Sequence, residues 1–141
     1  AIGRIQLKNI SYWHKKRLGN ANSIWNTAKK CKVFRVPAIP DYIEHACYKC
    51  YIFVEGSVEF RDKIMREINE KGVPCYSGSC SEVYIEKAFD NTGFRPKERL
   101  TAAKELGEKS LMFLVHPTLK EKEIKKTCDV LIEVAEANYE G

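Results

Sequence analysis

The run "SLMFLV" at residues 110–115 constrains the fold more than any other feature, because every residue after the serine is apolar. A run of six residues is too short for a typical helix and suits a strand that is covered on both faces. His116 and Pro117 follow, and proline cannot continue a central strand. We therefore predict a central strand at 110–115, with His116 at an edge of the sheet where ligands commonly bind.

The first part of the chain has a different periodicity. Apolar or small residues recur there at spacings of three and four, which predicts a long N-terminal helix with one buried stripe. The stripe comprises Ile10, Trp13, Arg17 (its aliphatic stem), Ala21, Ile24, Ala28 and Cys31.

Two further strands and a second helix follow. Residues 33–37 and 47–55 are rich in β-branched and aromatic residues, which favours strands. The next segment has Ser57 in a typical N-cap position and Gly72 in a typical helix-ending position. We predict a helix between these two residues.

The second half predicts three more helices. A short helix is expected near residues 82–89 and another from about 97 to 106, and Thr118 with Glu121 forms a capping-box pattern for the last one. The expected fold class is α+β: a small mixed β-sheet packed with helices largely on one face, preceded by the long N-terminal helix.

Charge is distributed unevenly along the 141 residues. Nine of the 24 Lys and Arg residues lie in residues 1–35, which contain no acid, although the net charge is only +5. Such a segment could bind nucleic acid, cover an acidic neighbour, approach a phosphorylated ligand or form a solvated helix face. No nucleic-acid-binding motif accompanies it, so we do not expect nucleic acid as a partner. No apolar run is long enough to cross a membrane, so we do not expect a membrane as a partner either.

Six cysteines raise the question of metal, redox or disulfide chemistry. The pair Cys47 and Cys50 lies in a predicted strand, where residues three apart project to opposite faces. Cys75 and Cys80 have four residues between them and form no zinc knuckle. We therefore expect no metal site, and reduced thiols in a cytoplasmic protein.

Several blocks of the chain resemble the DegT/DnrJ/EryC1/StrS sugar aminotransferases in the order found in that family. The first resembles the segment after the family's "QAAIG" motif, where a long helix leads from the large domain into the small one. The blocks are "AIGRIQLKNISYWHKKRLGNA", "YKCYIFVE", "RDKIMREINEKGVPCYSGSC", "RPKERLTAAKELGEKSLMFLVHPTL" and "KEIKKTCDVLIEV".

The resemblance implies a fold-type-I enzyme that depends on pyridoxal phosphate. Such an enzyme moves an amino group, usually from glutamate, to a nucleotide-linked keto-sugar, as a homodimer. The cofactor lysine and phosphate contacts belong to the family's large domain, so we assign no catalytic residue and expect no cofactor on this chain alone. The expected boundaries are a linking helix at 1–31 and a small C-terminal domain at 32–141.

The loop at residues 72–80, "GVPCYSGSC", departs from the family pattern. Many members carry a His-Tyr followed by "PLH" there, facing the sugar nucleotide, whereas this chain has small hydroxyls, thiols and a tyrosine. The residues expected to contact substrate are Tyr76, Ser77, Gly78, Ser79 and His116. We expect the loop and His116 to share one site, to which the N-terminus of the last helix would attract an anion.

Two other functions stay open at this point. A stand-alone nucleic-acid- or effector-binding α+β module could use the basic N-terminal helix, and a zinc-binding interaction domain could use the cysteines. Ala1 is not an initiator Met and no capping residue precedes the first helix, which predicts a chain cut from a longer protein. A further large domain upstream, with a lysine-bearing cofactor motif, would favour the aminotransferase.

Overall fold

The computed structural model describes residues 2–139. Four α-helices and four short β-strands alternate along the chain. They are α1 (Ile2–Ala28), β1 (Phe34–Arg35), β2 (Cys50–Val54), α2 (Val58–Glu70), β3 (Cys75–Tyr76), α3 (Thr101–Lys109), β4 (Ser110–Phe113) and α4 (Glu121–Ala137). Two single 3₁₀ turns, Val83–Ile85 and Lys87–Phe89, stand where one short helix was expected.

The strands form one sheet in the order β1-β2-β4-β3, and each neighbouring pair is antiparallel. The α+β class is confirmed, but the sheet is not mixed as expected. β2 and β3 flank α2 and run in the same direction, which in isolation would suggest parallel pairing. β4 inserts between them and is antiparallel to both. Because β4 comes later in the chain, the order of elements alone does not reveal this insertion.

One face of the sheet carries the core. The side chains of Cys50, Ile52, Val54, Leu111 and Phe113 are at most 1% exposed. They form one cluster with buried residues of α1, α2 and α4. All four residues of β4 are buried, which confirms the predicted central strand.

The second face is less covered. Opposed residues in neighbouring strands share a face, so Tyr51, Met112 and Tyr76 lie side by side here. Tyr51 and Phe53 are half-buried and Tyr76 is 48% exposed. We call this surface the open face.

The N-terminal helix is confirmed only in its second half as a packed element. Ala21, Ile24 and Ala28 are fully buried, whereas Ile10 is 55% exposed and not part of the core. Exposed apolar residues continue towards the N-terminus at Ile2, Ile5 and Leu7. The apolar pattern continues to the N-terminus, but only the second half of the helix packs on α4 and the sheet.

The caps of α2 are confirmed. The Ser57 hydroxyl accepts a hydrogen bond from the Phe60 backbone N–H at 3.2 Å. Gly72 ends the helix with a φ of +73°, a conformation that glycine adopts without steric cost.

The predicted starts of α3 and α4 are wrong. Helix α3 starts at Thr101 rather than near Lys97, because Arg95 and Arg99 instead hold the preceding irregular segment through hydrogen bonds. Helix α4 starts at Glu121 with Lys120 as N-cap, and the Glu123 carboxylate accepts from the Lys120 N–H at 2.8 Å.

Candidate functional site

The loop Tyr76–Ser79, the site loop from here on, leaves the sheet at the end of β3. Its first anchor is Ser110, whose hydroxyl donates to the Ser77 carbonyl oxygen at 2.6 Å. This bond joins two residues 33 positions apart and holds the loop at the start of β4. Because the Ser77 carbonyl is satisfied, the side chains of the loop are left for other partners.

Gly78 lies against the aromatic ring of Tyr51. A Cβ at this position would lie 2.6 Å from Cε1 of Tyr51, and Gly78 has a φ of +98°. Both facts require glycine here, one for the close approach and one for the backbone conformation. In this structure the group that approaches the Gly78 backbone is the side chain of Tyr51 in β2, and substrate contact at Gly78 stays a prediction.

Ser79 joins the loop to two polar side chains near the start of β2. Lys49 Nζ donates to Ser79 Oγ at 3.3 Å, and the Tyr51 hydroxyl lies 3.5 Å from the same oxygen. Both distances are long for hydrogen bonds, so the Ser79 hydroxyl is only weakly engaged. We call Lys49, Tyr51, Gly78 and Ser79 the Lys49 cluster.

Sequence reasoning missed Lys49 and Tyr51. Their spacing of two in a predicted strand is the signal that could have found them, since alternate strand residues share a face. Nothing local, however, indicates that a loop some thirty residues later would cover that face.

His116 and the site loop are attached to opposite ends of β4. It is exposed, its Nδ1 lies 2.7 Å from Thr118 Oγ1, and its carbonyl oxygen accepts from the Asn20 side chain at 3.3 Å. Ser77 is bonded at the start of β4, whereas His116 follows its end, up to about 20 Å away at roughly 3.3 Å per residue. No hydrogen bond joins His116 to the site loop in residues 2–139, and a shared site stays a prediction.

The anion site expected at the N-terminus of α4 stays a prediction, and the first turn of this helix carries two acidic residues. Glu121 and Glu123 occupy its first turn, and Glu123 bonds the N-cap backbone. These carboxylates already interact favourably with the positive end of the helix, and they would repel an incoming anion.

The cysteines do not have the geometry expected from the sequence. Cys47 lies before β2 with a φ of +46°, so the argument that Cys47 and Cys50 diverge within one strand is wrong. Both are nevertheless fully buried, and burial raises the pKa of the Cys50 thiol. In the described part of the chain the six cysteines are free thiols, and no group of three or more His, Cys, Asp or Glu could hold a metal ion.

Between residues 2 and 139, no helix is both long enough and apolar enough to cross a bilayer.

The chain matches one protein-family model and several solved structures. The model of the DegT/DnrJ/EryC1/StrS aminotransferase family matches residues 1–132. No curated protein shows a significant match. The aminotransferase from Psychrobacter cryohalolentis is 49% identical, with a TM-score of 0.86, over 99% of this chain and 38% of that one.

Two more distant structures share the fold. DesV from S. venezuelae, solved in complex with a ketimine intermediate, is 17% identical with a TM-score of 0.81, over 94% of this chain and 34% of that one. The sugar aminotransferase CalS13 from Micromonospora echinospora is 13% identical with a TM-score of 0.74, over 94% of this chain and 32% of that one. The chain spans 32–38% of the length of these three proteins. With a family match over residues 1–132 and 49% identity across nearly its whole length, this chain belongs to the DegT/DnrJ/EryC1/StrS aminotransferase family.

Proposed function

We propose that this chain is the C-terminal domain of a pyridoxal-phosphate-dependent aminotransferase that acts on a nucleotide-linked keto-sugar, with glutamate as amino donor. In this proposal residues 1–31 link the domain to the rest of the enzyme and residues 32–141 form its small domain. The observation that carries the proposal is the 49% identity to an aminotransferase of which the chain covers 38%. CalS13, which has the same fold, is a sugar aminotransferase and supports the choice of substrate class.

The first half of α1 supports a role within a larger enzyme. Ile2, Ile5, Leu7 and Ile10 are 55–75% exposed on one helix, an arrangement that a folded protein normally covers. A large domain packed on these residues would remove them from water. The open face of the sheet, with Tyr51 and the site loop, would then be the surface that closes on the substrate.

The lysines of this chain support the proposal that the rest of the enzyme holds the cofactor. Pyridoxal phosphate carries the amino group between donor and acceptor, and the lysine that binds it must lose its proton to react. No lysine in residues 2–139 is buried. Two of the three half-buried ones are paired: Lys104 with Glu108, and Lys109 with Glu105, which raises the pKa of Lys109. The third, Lys49, has its ammonium at the exposed surface beside Ser79. These ammonium groups are poor nucleophiles, so we propose that the rest of the enzyme holds the cofactor.

The experiment compares the full-length protein that carries this chain with the 141-residue chain alone. We expect the full-length protein, loaded with pyridoxal phosphate, to convert glutamate to 2-oxoglutarate when a nucleotide-linked keto-sugar is supplied. Borohydride reduction followed by peptide mass spectrometry should place the cofactor adduct on a lysine outside residues 1–141. A specific adduct on a lysine of this chain, or no amino transfer to any nucleotide-linked keto-sugar, would refute the proposal.

The remaining expectations depend on the intact enzyme. We propose a homodimer in the cytoplasm, to be checked by sedimentation of the full-length protein and by fractionation of cells. The comparisons give no support to the nucleic-acid- or effector-binding alternative.

A further inference from the structure

Lys49 differs from the other half-buried lysines of the described chain. Lys104 and Lys109 each lie within 4 Å of glutamate carboxylates, at 3.6 Å from Glu108 and 3.0 Å from Glu105. Lys49 forms no such ion pair in residues 2–139, and its recorded partner is the neutral hydroxyl of Ser79 at 3.3 Å. An ammonium at the surface with only a neutral hydroxyl beside it can take an incoming anion as its partner, since charge-assisted hydrogen bonds are stronger than neutral ones.

The groups around Lys49 supply more donors than acceptors. The ammonium has three donor hydrogens and uses one on Ser79, and the hydroxyls of Ser79 and Tyr51 can each donate as well. Within residues 2–139, no carboxylate forms a hydrogen bond with any of these three side chains. A cluster with this composition recognises oxygen atoms that carry negative charge, since charge-assisted hydrogen bonds are the stronger kind.

The position of the cluster is suited to binding. Gly78 places the loop backbone directly on the Tyr51 ring, which brings the Ser79 hydroxyl near the Tyr51 hydroxyl and the Lys49 ammonium. The 3.3 and 3.5 Å contacts can be exchanged for shorter ones to a ligand at little cost. The open face beside the cluster, with Tyr76 48% exposed, leaves room for that ligand.

We infer that Lys49, assisted by Ser79 and Tyr51, binds an oxyanion of the molecule that enters the active site. The anion is a phosphate of the nucleotide-linked substrate or a carboxylate of the amino donor, and the chemistry of recognition is the same for both. This inference rests on the proposed function, because it assumes that the open face meets substrate. It makes Lys49 a residue that determines specificity for a charged group.

The test measures binding of two probes to the full-length protein by titration calorimetry at low salt. Uridine diphosphate represents the phosphate source and glutarate represents the carboxylate source. The variants are Lys49→Met, which keeps the aliphatic stem, Lys49→Arg, which keeps the charge, and Ser79→Ala. Lys30→Met, at an exposed position that follows α1, is the matched control for loss of one positive charge. Thermal unfolding of each variant confirms that it is folded.

We expect Lys49→Met to weaken binding of one probe at least about tenfold, as for a lost charge-assisted bond. Lys49→Arg should retain most of the affinity, Ser79→Ala should lose about threefold or more, and Lys30→Met should match the wild type. The probe that loses affinity identifies the source of the anion. Binding of neither probe by the wild type, equal affinity in Lys49→Met, or an equal loss in Lys30→Met would overturn the inference.

Amino transfer from glutamate, measured separately, distinguishes the two proposals. A protein that transfers no amino group but loses anion affinity in Lys49→Met would refute the proposed function and leave this inference standing. A protein that transfers the amino group while Lys49→Met binds both probes normally would refute this inference alone.

Discussion

Arg99 binds both carboxylate oxygens of Glu82, with Nε 2.8 Å from Oε1 and the second guanidinium nitrogen 2.6 Å from Oε2. Tyr84 donates its hydroxyl to the same carboxylate at 2.7 Å and accepts from the Leu100 N–H at 2.9 Å. Glu82 is only 8% exposed. These contacts close the irregular segment between the site loop and α3, so the order of that segment depends on the charge of Glu82.

This relationship predicts loss of stability in acid. The bonds from Arg99 and Tyr84 lower the pKa of Glu82 from its ordinary value of 4.5 to about 2. A carboxyl group with a lowered pKa stabilises the fold above pH 4.5, and this contribution is lost as the pH falls towards 2. We expect the thermal midpoint of the wild type to fall through this window.

The variant Glu82→Gln isolates the contribution. It should be less stable than the wild type at pH 7, and the two midpoints should converge as the pH approaches 2. Glu98→Gln removes an exposed carboxylate from the same segment and should follow the wild type at every pH. If the thermal midpoints of Glu82→Gln and the wild type differed by the same amount at every pH from 7 to 2.5, this carboxylate would not link pH to stability.

A second prediction concerns the close contact of Gly78 with Tyr51. Gly78→Ala should destabilise the fold by roughly 1–3 kcal/mol, through a strained φ and a clash with the ring. Gly93 is the matched control, because it has a φ of +75° but no atom within 4 Å of an added Cβ. Gly93→Ala should therefore cost only the backbone strain, about 1 kcal/mol. Urea unfolding measures the free energy of unfolding of both variants. A larger decrease for Gly93→Ala than for Gly78→Ala would contradict the role of Tyr51.

The helix caps allow a direct test of local structure. Ser57→Ala should lower the free energy of unfolding by about 1 kcal/mol, because it removes the acceptor for the Phe60 N–H. Thr118→Ala should change it by at most about 0.5 kcal/mol, since Thr118 lies outside α4 and bonds exposed His116. The comparison is made by urea unfolding at pH 7, and a loss at Thr118 as large as that at Ser57 would restore Thr118 as a cap.

The thiols should differ in reactivity towards iodoacetamide. Cys80 is exposed, whereas Cys47, Cys50 and Cys75 are buried, and burial raises the pKa of Cys75 to about 12. Because the thiolate is the reactive form, we expect Cys80 to be alkylated first at pH 8 and the buried three only on unfolding. Peptide mass spectrometry follows each site, and Cys80→Ser should abolish the fast reaction. Alkylation of Cys50 or Cys75 at the rate of Cys80 would contradict the burial.

Local sequence was sufficient for features that depend on residues a few positions apart. The Ser57 cap needs only the N–H of Phe60, and Gly72 needs only its own freedom to adopt a positive φ. The buried strand 110–113 follows from an uninterrupted apolar run. Family membership followed as well, because it rests on sequence blocks in their order.

Local patterns were misleading where two residue sets competed for the same role. Thr118 and Glu121 have the spacing of a capping box, but Thr118 bonds His116, and Lys120 with Glu123 starts α4 two residues later. Ile10 continues the apolar stripe of α1, but this part of the helix lies outside the core and leaves Ile10 55% exposed.

The sequence by itself determined where the four α-helices and three of the four strands form, because those preferences arise from side chains and backbone within one or two turns. It did not determine β3, which lies in a segment expected to be a loop. Only the tertiary structure decided that β4 inserts between β2 and β3, and that Lys49, Tyr51 and Ser79 meet. Lys49 and Ser79 are 30 positions apart, and their contact exists because the site loop leaves β3, is tied to Ser110 and lies across the open face. A contact of that kind depends on the packing of the whole sheet, which no local pattern contains.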